Sequence, residues 1–205
     1  MYSKIRHYLQ EAAAFFSDIP AERRKLLDGL AEKTREEYQL GKTARLTFIC
    51  THNSRRSHFG QVWAAVAAQY FGIPNIETYS GGTEVTAFNP RAVAALERVG
   101  FEVETTAGEN PRYRLYFAEN VEPLICFSKK YDDPINPQKN FFAIMTCSEA
   151  DDNCPFIPGA VYRFPLTYQD PKEADDTPQE TERYDERCRQ IAIEMLYLMQ
   201  QLLQN

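Results

Sequence analysis

The stretch LTFICTHNSRRSHFGQVW, residues 46–63, decides how this chain is read. Leu46–Ile49 is a short apolar run that predicts a buried strand, and downstream of Ser57 the residues Val62, Trp63, Val66 and Tyr70 recur on one helical face. Between strand and helix lies a polar loop, Cys50–Ser57. A tight loop in that position converges its backbone N–H groups and the positive end of the helix on one point, which makes an anion site. Thr51, His52, Asn53, Ser54, Arg55, Arg56 and Ser57 are therefore the candidate oxyanion-binding residues. The same field favours the thiolate form of Cys50, the candidate nucleophile. The planar fork of Arg56 suits two oxygens of a tetrahedral or trigonal-bipyramidal oxyanion. Ser57 can donate a hydrogen bond to the thiolate when it leaves. In a chain with five cysteines a Cys-x5-Arg spacing is weak by itself. The strand before it, the serine after it and the following helix give it weight against the competing reading, a structural cysteine that closes a core strand.

Working outward, residues 3–16 and 21–39 read as two helices, the second opened by Pro20. Its Leu26, Leu27, Leu30 and Ala31 recur at helical spacing, which predicts a surface helix packed on the main body, with a partner-binding arm as the alternative. Gly72 and Pro74 close the helix after the loop, and Ile76–Ser80 reads as a second strand. Asn89 caps a helix from Pro90 that points Val93, Leu96 and Val99 inward and stops at Gly100. Tyr113–Phe117 and Pro123–Phe127 flank Glu119-Asn120 as a hairpin. Phe141–Thr146 is apolar throughout, as a strand buried on both faces should be, and Val161–Leu166 is a further strand. Thr177, Pro178 and Glu180 predict a capping box for a last helix striped by Ile191, Met195, Leu198 and Leu202. Strands alternating with helices imply a three-layer α/β fold around a parallel sheet.

The 205 residues suffice for one well-buried core. A hydrophobic content of 43% with thirteen Phe and twelve Tyr excludes a disordered chain. A net charge of −6 speaks against general nucleic-acid binding, which needs basic surfaces, but not against a small anionic substrate. No apolar run is long enough to span a bilayer, and the charged start MYSKIRHYLQEAAAFF is unlike a signal peptide, so no membrane association and a cytoplasmic location are expected. Five cysteines, an odd number, do not make a secreted disulfide framework; in a reducing compartment they serve packing, catalysis or redox chemistry.

Cys50-x5-Arg56-Ser57 directly after the first strand resembles the phosphate loop of the low-molecular-weight protein tyrosine phosphatase superfamily. Ser80-Gly81-Gly82 lies where that family has a Ser-Ala/Gly-Gly turn, Asn89–Gly100 resembles its next helix, and Asp170-Pro171 falls at its Asp-Pro general acid. The likeness runs in order over roughly residues 44–200. It implies a four-stranded parallel sheet with helices on both faces (a phosphotyrosine protein phosphatase I-like fold) in a catalytic domain 44–205, preceded by an N-terminal helical extension, 1–43. It also implies that Asp170 protonates the leaving phenolate and then activates water, or assists proton transfer around thiols; an Asp before a Pro is otherwise a common turn signal.

A second segment, Cys147-Ser148-Glu149-Ala150-Asp151-Asp152-Asn153-Cys154-Pro155, resembles the redox helix of the thioredoxin-coupled arsenate reductases within that superfamily. The resemblance implies that Cys50 attacks arsenate, Cys147 then attacks Cys50 and expels arsenite, and Cys154 takes over the disulfide and presents it to thioredoxin or another external thiol reductant. No bound cofactor is implied. The spacing does not suit a zinc knuckle and no metal is expected; some of these reductases bind potassium with help from an acid where this chain has Gln61, so the ion does not carry over. Cys126 and Cys188 match no family thiol and read as packing residues.

Two loop positions depart from the family: His52 replaces the usual Gly, and Arg55 a Cys or other small residue. His52 has to adopt the Gly backbone angles or the loop has to differ. Arg55 either adds charge beside the thiolate or points to solvent. Residues 106–140 have no family counterpart and are expected to reshape the mouth of the site. Three functions stay open at this point: arsenate reduction, hydrolysis of phosphotyrosine through a cysteinyl-phosphate, and anion binding without turnover.

Overall fold

The structure, a computed structural model, describes residues 1–154 and 156–204. In chain order its elements are α1 (Ser3–Ala13), α2 (Ala21–Gln39), β1 (Ala44–Cys50), α3 (Arg56–Phe71), β2 (Ile76–Gly82), α4 (Pro90–Val99), β3 (Glu102–Thr105), β4 (Tyr113–Tyr116), β5 (Leu124–Cys126), β6 (Phe141–Met145), α5 (Ser148–Asn153), β7 (Ala160–Phe164) and α6 (Glu180–Gln201), with a short 3-10 turn over Pro171–Ala174. β2, β1, β6 and β7 form, in that order, a four-stranded sheet in which every neighbouring pair is parallel. This is the expected three-layer α/β fold.

Alternation along the two central strands explains why both faces are covered. Leu46 and Phe48 of β1 and Phe142 and Ile144 of β6 enter the larger core, which contains Trp63, Val66, Leu96, Ile191 and Met195 of the helices. Ile49 and Cys50, with Phe141, Ala143 and Met145, point into a smaller cluster on the opposite face with Cys147, Ala150 and Ile157. α3 packs so closely on β1 that a Cβ on Gly60 would strike the Phe48 ring. Gly72 and Gly100 end α3 and α4 in the left-handed conformation that costs Gly nothing.

The first forty residues belong to the larger core. Ile5, Leu9, Leu27 and Leu30 are fully buried in it, whereas Leu26, expected inward, is an exposed side chain of α2. Pro20 is the cap preceding α2 rather than its first turn. Arg23 places Nε and a terminal nitrogen 3.0 and 2.8 Å from Glu194 Oε2 and lies over the Tyr168 ring, while Tyr168 donates its hydroxyl to the same carboxylate oxygen at 2.7 Å. α2 is thus tied to α6 and to the strand-end segment that carries Tyr168.

Two sequence expectations shift in detail. The hairpin at Glu119-Asn120 exists as β4–β5, with Asn120 in the left-handed region, but β3 joins it to make a three-stranded antiparallel sheet. The capping box of α6 is displaced: the Glu180 carboxylate accepts from the Asp176 N–H, while Thr177 donates its hydroxyl to Ala174 and accepts from Gln179. A turn with Asp176 at positive φ moves the box one residue upstream of the Thr177 expected from the sequence. Among the described residues no helix is long and apolar enough to cross a membrane.

Candidate active site

The loop Thr51–Arg55 leaves the carboxyl end of β1 and delivers Arg56 as the first residue of α3. Its carbonyls face outward. The Cys50 and Thr51 carbonyls accept N–H bonds from Thr83 and Glu84, the Ser54 carbonyl accepts from Asn89, and the His52 carbonyl accepts the hydroxyls of Thr86 and Ser128. These five bonds fix the loop against residues 83–89 and Ser128. The Cys50 sulfur lies 3.1 Å from the Ser57 hydroxyl, and Asn53 Nδ2 donates to that hydroxyl at 2.9 Å. Asn53 Oδ1 accepts the Lys129 N–H, which locks the loop to residues beyond β5.

The strain expected at His52 falls elsewhere. Asn53 carries the positive φ, 45°, and Asn tolerates that region far better than most residues. His52 instead turns outward, its Nε2 3.5 Å from a carboxylate oxygen of Glu84. Close approach is met at Gly82, where an added Cβ would sit 2.6 Å from the Thr51 carbonyl and 2.7 Å from the Asn53 nitrogen. That explains the second glycine of Ser80-Gly81-Gly82.

Arg56 donates one terminal nitrogen to the Tyr168 carbonyl at 2.8 Å and the other to Asp170 Oδ2 at 2.6 Å. Asp170 in turn caps the 3-10 turn, its Oδ1 accepting from Lys172 N at 3.1 Å. The expectations for Arg55 are corrected: its side chain neither lies beside the thiolate nor points to solvent. It donates to the Tyr184 hydroxyl at 2.7 Å and to Asp175 at 3.3 Å, drawn away by a half-buried acid and a buried phenol contributed from the far end of the chain.

Cys147 stands just past β6 and caps α5, its sulfur accepting the Ala150 N–H at 3.3 Å. That sulfur lies 3.4 Å from the Thr51 hydroxyl, which also donates to Glu149 at 3.0 Å. Cys50 and Cys147 are buried in one apolar cluster, and Cys154, partly exposed, packs against it. Pro155, the last residue of that motif, lies outside the described residues. Arg163 of β7 fastens the far end of α5, donating to the Asp151 and Cys154 carbonyls. A cleft of about 520 Å³ opens between Arg56, Cys147, Glu149, Tyr168, Asp170 and Glu173.

The structure therefore brings Cys50, Arg56, Ser57, Asp170 and Cys147 together, with Cys154 one short helix away. Cys126 and Cys188 are fully buried elsewhere, and burial pushes both thiols up to about 12, which leaves them protonated and inert. Gln61, at the position discussed for potassium, reaches the Thr78 carbonyl at 3.4 Å. Sequence reasoning did not find Glu149, Ser128, Lys129, Asp175 or Tyr184. Glu149 sits inside the Cys147–Cys154 motif and was within reach; the others touch the loop only through folding.

No family model matches the chain. Among curated proteins it is 30% identical over 124 residues to arsenate reductase 1 of Staphylococcus saprophyticus, covering 60% of this chain and 76% of that one. It is 29% identical over 142 residues to arsenate reductase of Bacillus subtilis, covering 69% and 84%. Among solved structures, a low-molecular-weight phosphotyrosine phosphatase from Vibrio cholerae shares the fold with a TM-score of 0.51 at 15% identity, over 77% of this chain and 95% of that one. The parallel sheet, the Cys50 loop at its centre and these relatives lead to one conclusion: the chain is an enzyme that belongs to the arsenate reductase family, built on the fold that low-molecular-weight phosphotyrosine phosphatases share.

Proposed function

We propose that this enzyme reduces arsenate to arsenite, with Cys50 as nucleophile and Cys147 and Cys154 as a thiol relay. The Cys50 thiolate attacks arsenic(V), forming an S–As bond as a protonated oxygen departs as water. The Cys147 thiolate attacks the Cys50 sulfur; an S–S bond forms, the S–As bond breaks, and its electron pair leaves with arsenic as arsenite. Cys154 then attacks Cys147, releasing Cys50 as a thiolate stabilised by Ser57 and leaving a Cys147–Cys154 disulfide for a thioredoxin-like dithiol. Two thiols are oxidised for each two-electron reduction of arsenic, so the cycle balances.

The observation that carries this reading is the 3.4 Å contact between Cys147 Sγ and the Thr51 hydroxyl, which keeps the second thiol at the rim of the nucleophile's loop. A hydrolase has no use for a thiol there. Loop N–H groups and Arg56 would hold the oxyanion, and Asp170 would supply the proton to the departing oxygen.

A second reading, hydrolysis of phosphotyrosine through a cysteinyl-phosphate, is favoured by Asp170, which is held 2.6 Å from the Arg56 guanidinium in the lining of the cleft and, once protonated, would serve a leaving phenolate. One purified sample tests both. Arsenate-dependent oxidation of thioredoxin that disappears in Cys147→Ser supports the relay, and the same oxidation surviving in Cys147→Ser sinks it. Phosphatase turnover lost in Cys50→Ser but kept in Cys147→Ser favours the second reading. Phosphate binding with neither activity would mark a binding module.

A further inference from the structure

We propose that Arg55 is a positioning residue for Asp170, holding the Asp170 carboxylate over the phosphate loop when Arg56 turns to the oxyanion. The inference rests on the roles given above to Cys50 and Asp170. Arg56 faces a conflict: one terminal nitrogen is engaged by the Tyr168 carbonyl and the other by Asp170, and its buried Nε has no partner. Two-point recognition of a tetrahedral anion through the unpartnered Nε also draws on the neighbouring terminal nitrogen, the one that holds Asp170. Once the anion competes for Arg56, Asp170 needs another cation to remain in place.

Arg55 is the cation at hand. Its Nε lies 3.8 Å from Asp170 Oδ1, and the two side chains are 11% and 26% exposed, so the pair is only partly screened by water. Arg55 is fixed independently of Asp170. It donates to Tyr184 at 2.7 Å and to Asp175 Oδ2 at 3.3 Å, and Tyr184 donates to Asp175 Oδ1 at 2.8 Å, closing a three-residue ring. Burial pushes the Tyr184 phenol up to about 12, so it remains a donor. Arg91, 3.8 Å from Asp175, adds a second positive charge and is itself paired with Asp176 and Glu180.

The placement along the chain matters as much as the distances. Asp170 and Asp175 are the two caps of the same 3-10 turn, Pro171–Ala174. By holding Asp175 tightly and Asp170 at ion-pair range, Arg55 grips both ends of the turn that carries the acid. A rigid support of this kind matters because displacement of a reacting group by about 1 Å can cost on the order of a hundredfold in rate.

The test is a double-mutant cycle on kcat, alongside affinity for inorganic phosphate. Arg55→Ala should lower kcat at least about tenfold while phosphate affinity changes less than about threefold, and in the Asp170→Asn background it should add less than about twofold. Arg55→Lys should recover part of the loss. Tyr184→Phe, which removes one hydroxyl and keeps the ring, should show a smaller loss with the same non-additivity, and it serves if Arg55→Ala fails to fold. Effects of Arg55 and Asp170 that multiply independently, or phosphate affinity that falls in step with kcat, would overturn the proposal. If the native protein turns over neither arsenate nor p-nitrophenyl phosphate, the functional reading fails, and a crystal structure of the phosphate complex decides this one alone. An Asp170 carboxylate within about 4 Å of Arg55 while Arg56 holds phosphate supports it. A carboxylate released to solvent, or still on Arg56, refutes it.

Discussion

The Cys147 sulfur and the Thr51 hydroxyl stand 3.4 Å apart, across 96 positions of sequence. β1 and β6 are adjacent and parallel, so the residues at their carboxyl ends meet by construction. Thr51 follows one strand and Cys147 the other, and in the proposed relay the hydroxyl between sulfur and the Glu149 carboxylate would give the thiol proton a route outward. Replacing Thr51 with Val keeps the shape and removes that route. We predict a fall of about tenfold in the rate of arsenite release in a single turnover, with alkylation of Cys50 by iodoacetamide little changed.

The N-terminal helices bear on the site through Arg23. Its partner Glu194 is almost wholly buried and also accepts from Tyr168, whose carbonyl holds Arg56. Removing Arg23 leaves a buried carboxylate without its cation. Arg23→Ala should therefore cost about 3 kcal/mol in urea unfolding. Arg23→Lys, which cannot reproduce the fork, should recover only part of it.

Gly82 sets the shape of the Cys50–Ser57 loop. In Gly82→Ala the new methyl meets backbone atoms of Thr51, Asn53 and Glu84, none of which can rotate away. The loop has to move, so phosphate affinity should drop by about tenfold or more, while the melting temperature falls by only a few degrees. Isothermal titration with inorganic phosphate beside a thermal scan separates the two effects.

His58 gives the fold a dependence on pH. It is fully buried against Phe88 and Ser80, and burial, followed by the nearby Lys129 charge, holds its imidazole well below its ordinary value of 6.5. The folded protein keeps His58 neutral while the unfolded chain takes up a proton below pH 6.5. This contribution to stability is therefore complete above pH 6.5 and is lost as pH falls, by up to about 1.4 kcal/mol per pH unit. His58→Gln should flatten the decline of the urea midpoint between pH 6.5 and 5.

Much of this was legible in the sequence, for local reasons. The strand, loop and helix of residues 46–63 are contiguous, so periodicity exposed the fold there and the Cys-x5-Arg spacing pointed to the candidate nucleophile. Cys147–Cys154 is contiguous as well. Arg55 was misread because its partners, Asp175 and Tyr184, are 120 and 129 residues away and become neighbours only when α6 packs on α3. The role of residues 106–140 was hidden for the same reason: Ser128 and Lys129 clamp the carbonyl of His52 and the side chain of Asn53 across the end of β2. His52 drew attention through its rarity, yet the backbone placed the unusual angle on its neighbour.

The most direct test of the relay is to map disulfides by mass spectrometry after one equivalent of arsenate, with no external reductant. The account predicts one arsenite released and a Cys147–Cys154 disulfide in the native protein, a trapped Cys50–Cys147 disulfide in Cys154→Ser, and reduced Cys126 and Cys188 in both. Arsenite formed with Cys147 still reduced would contradict it.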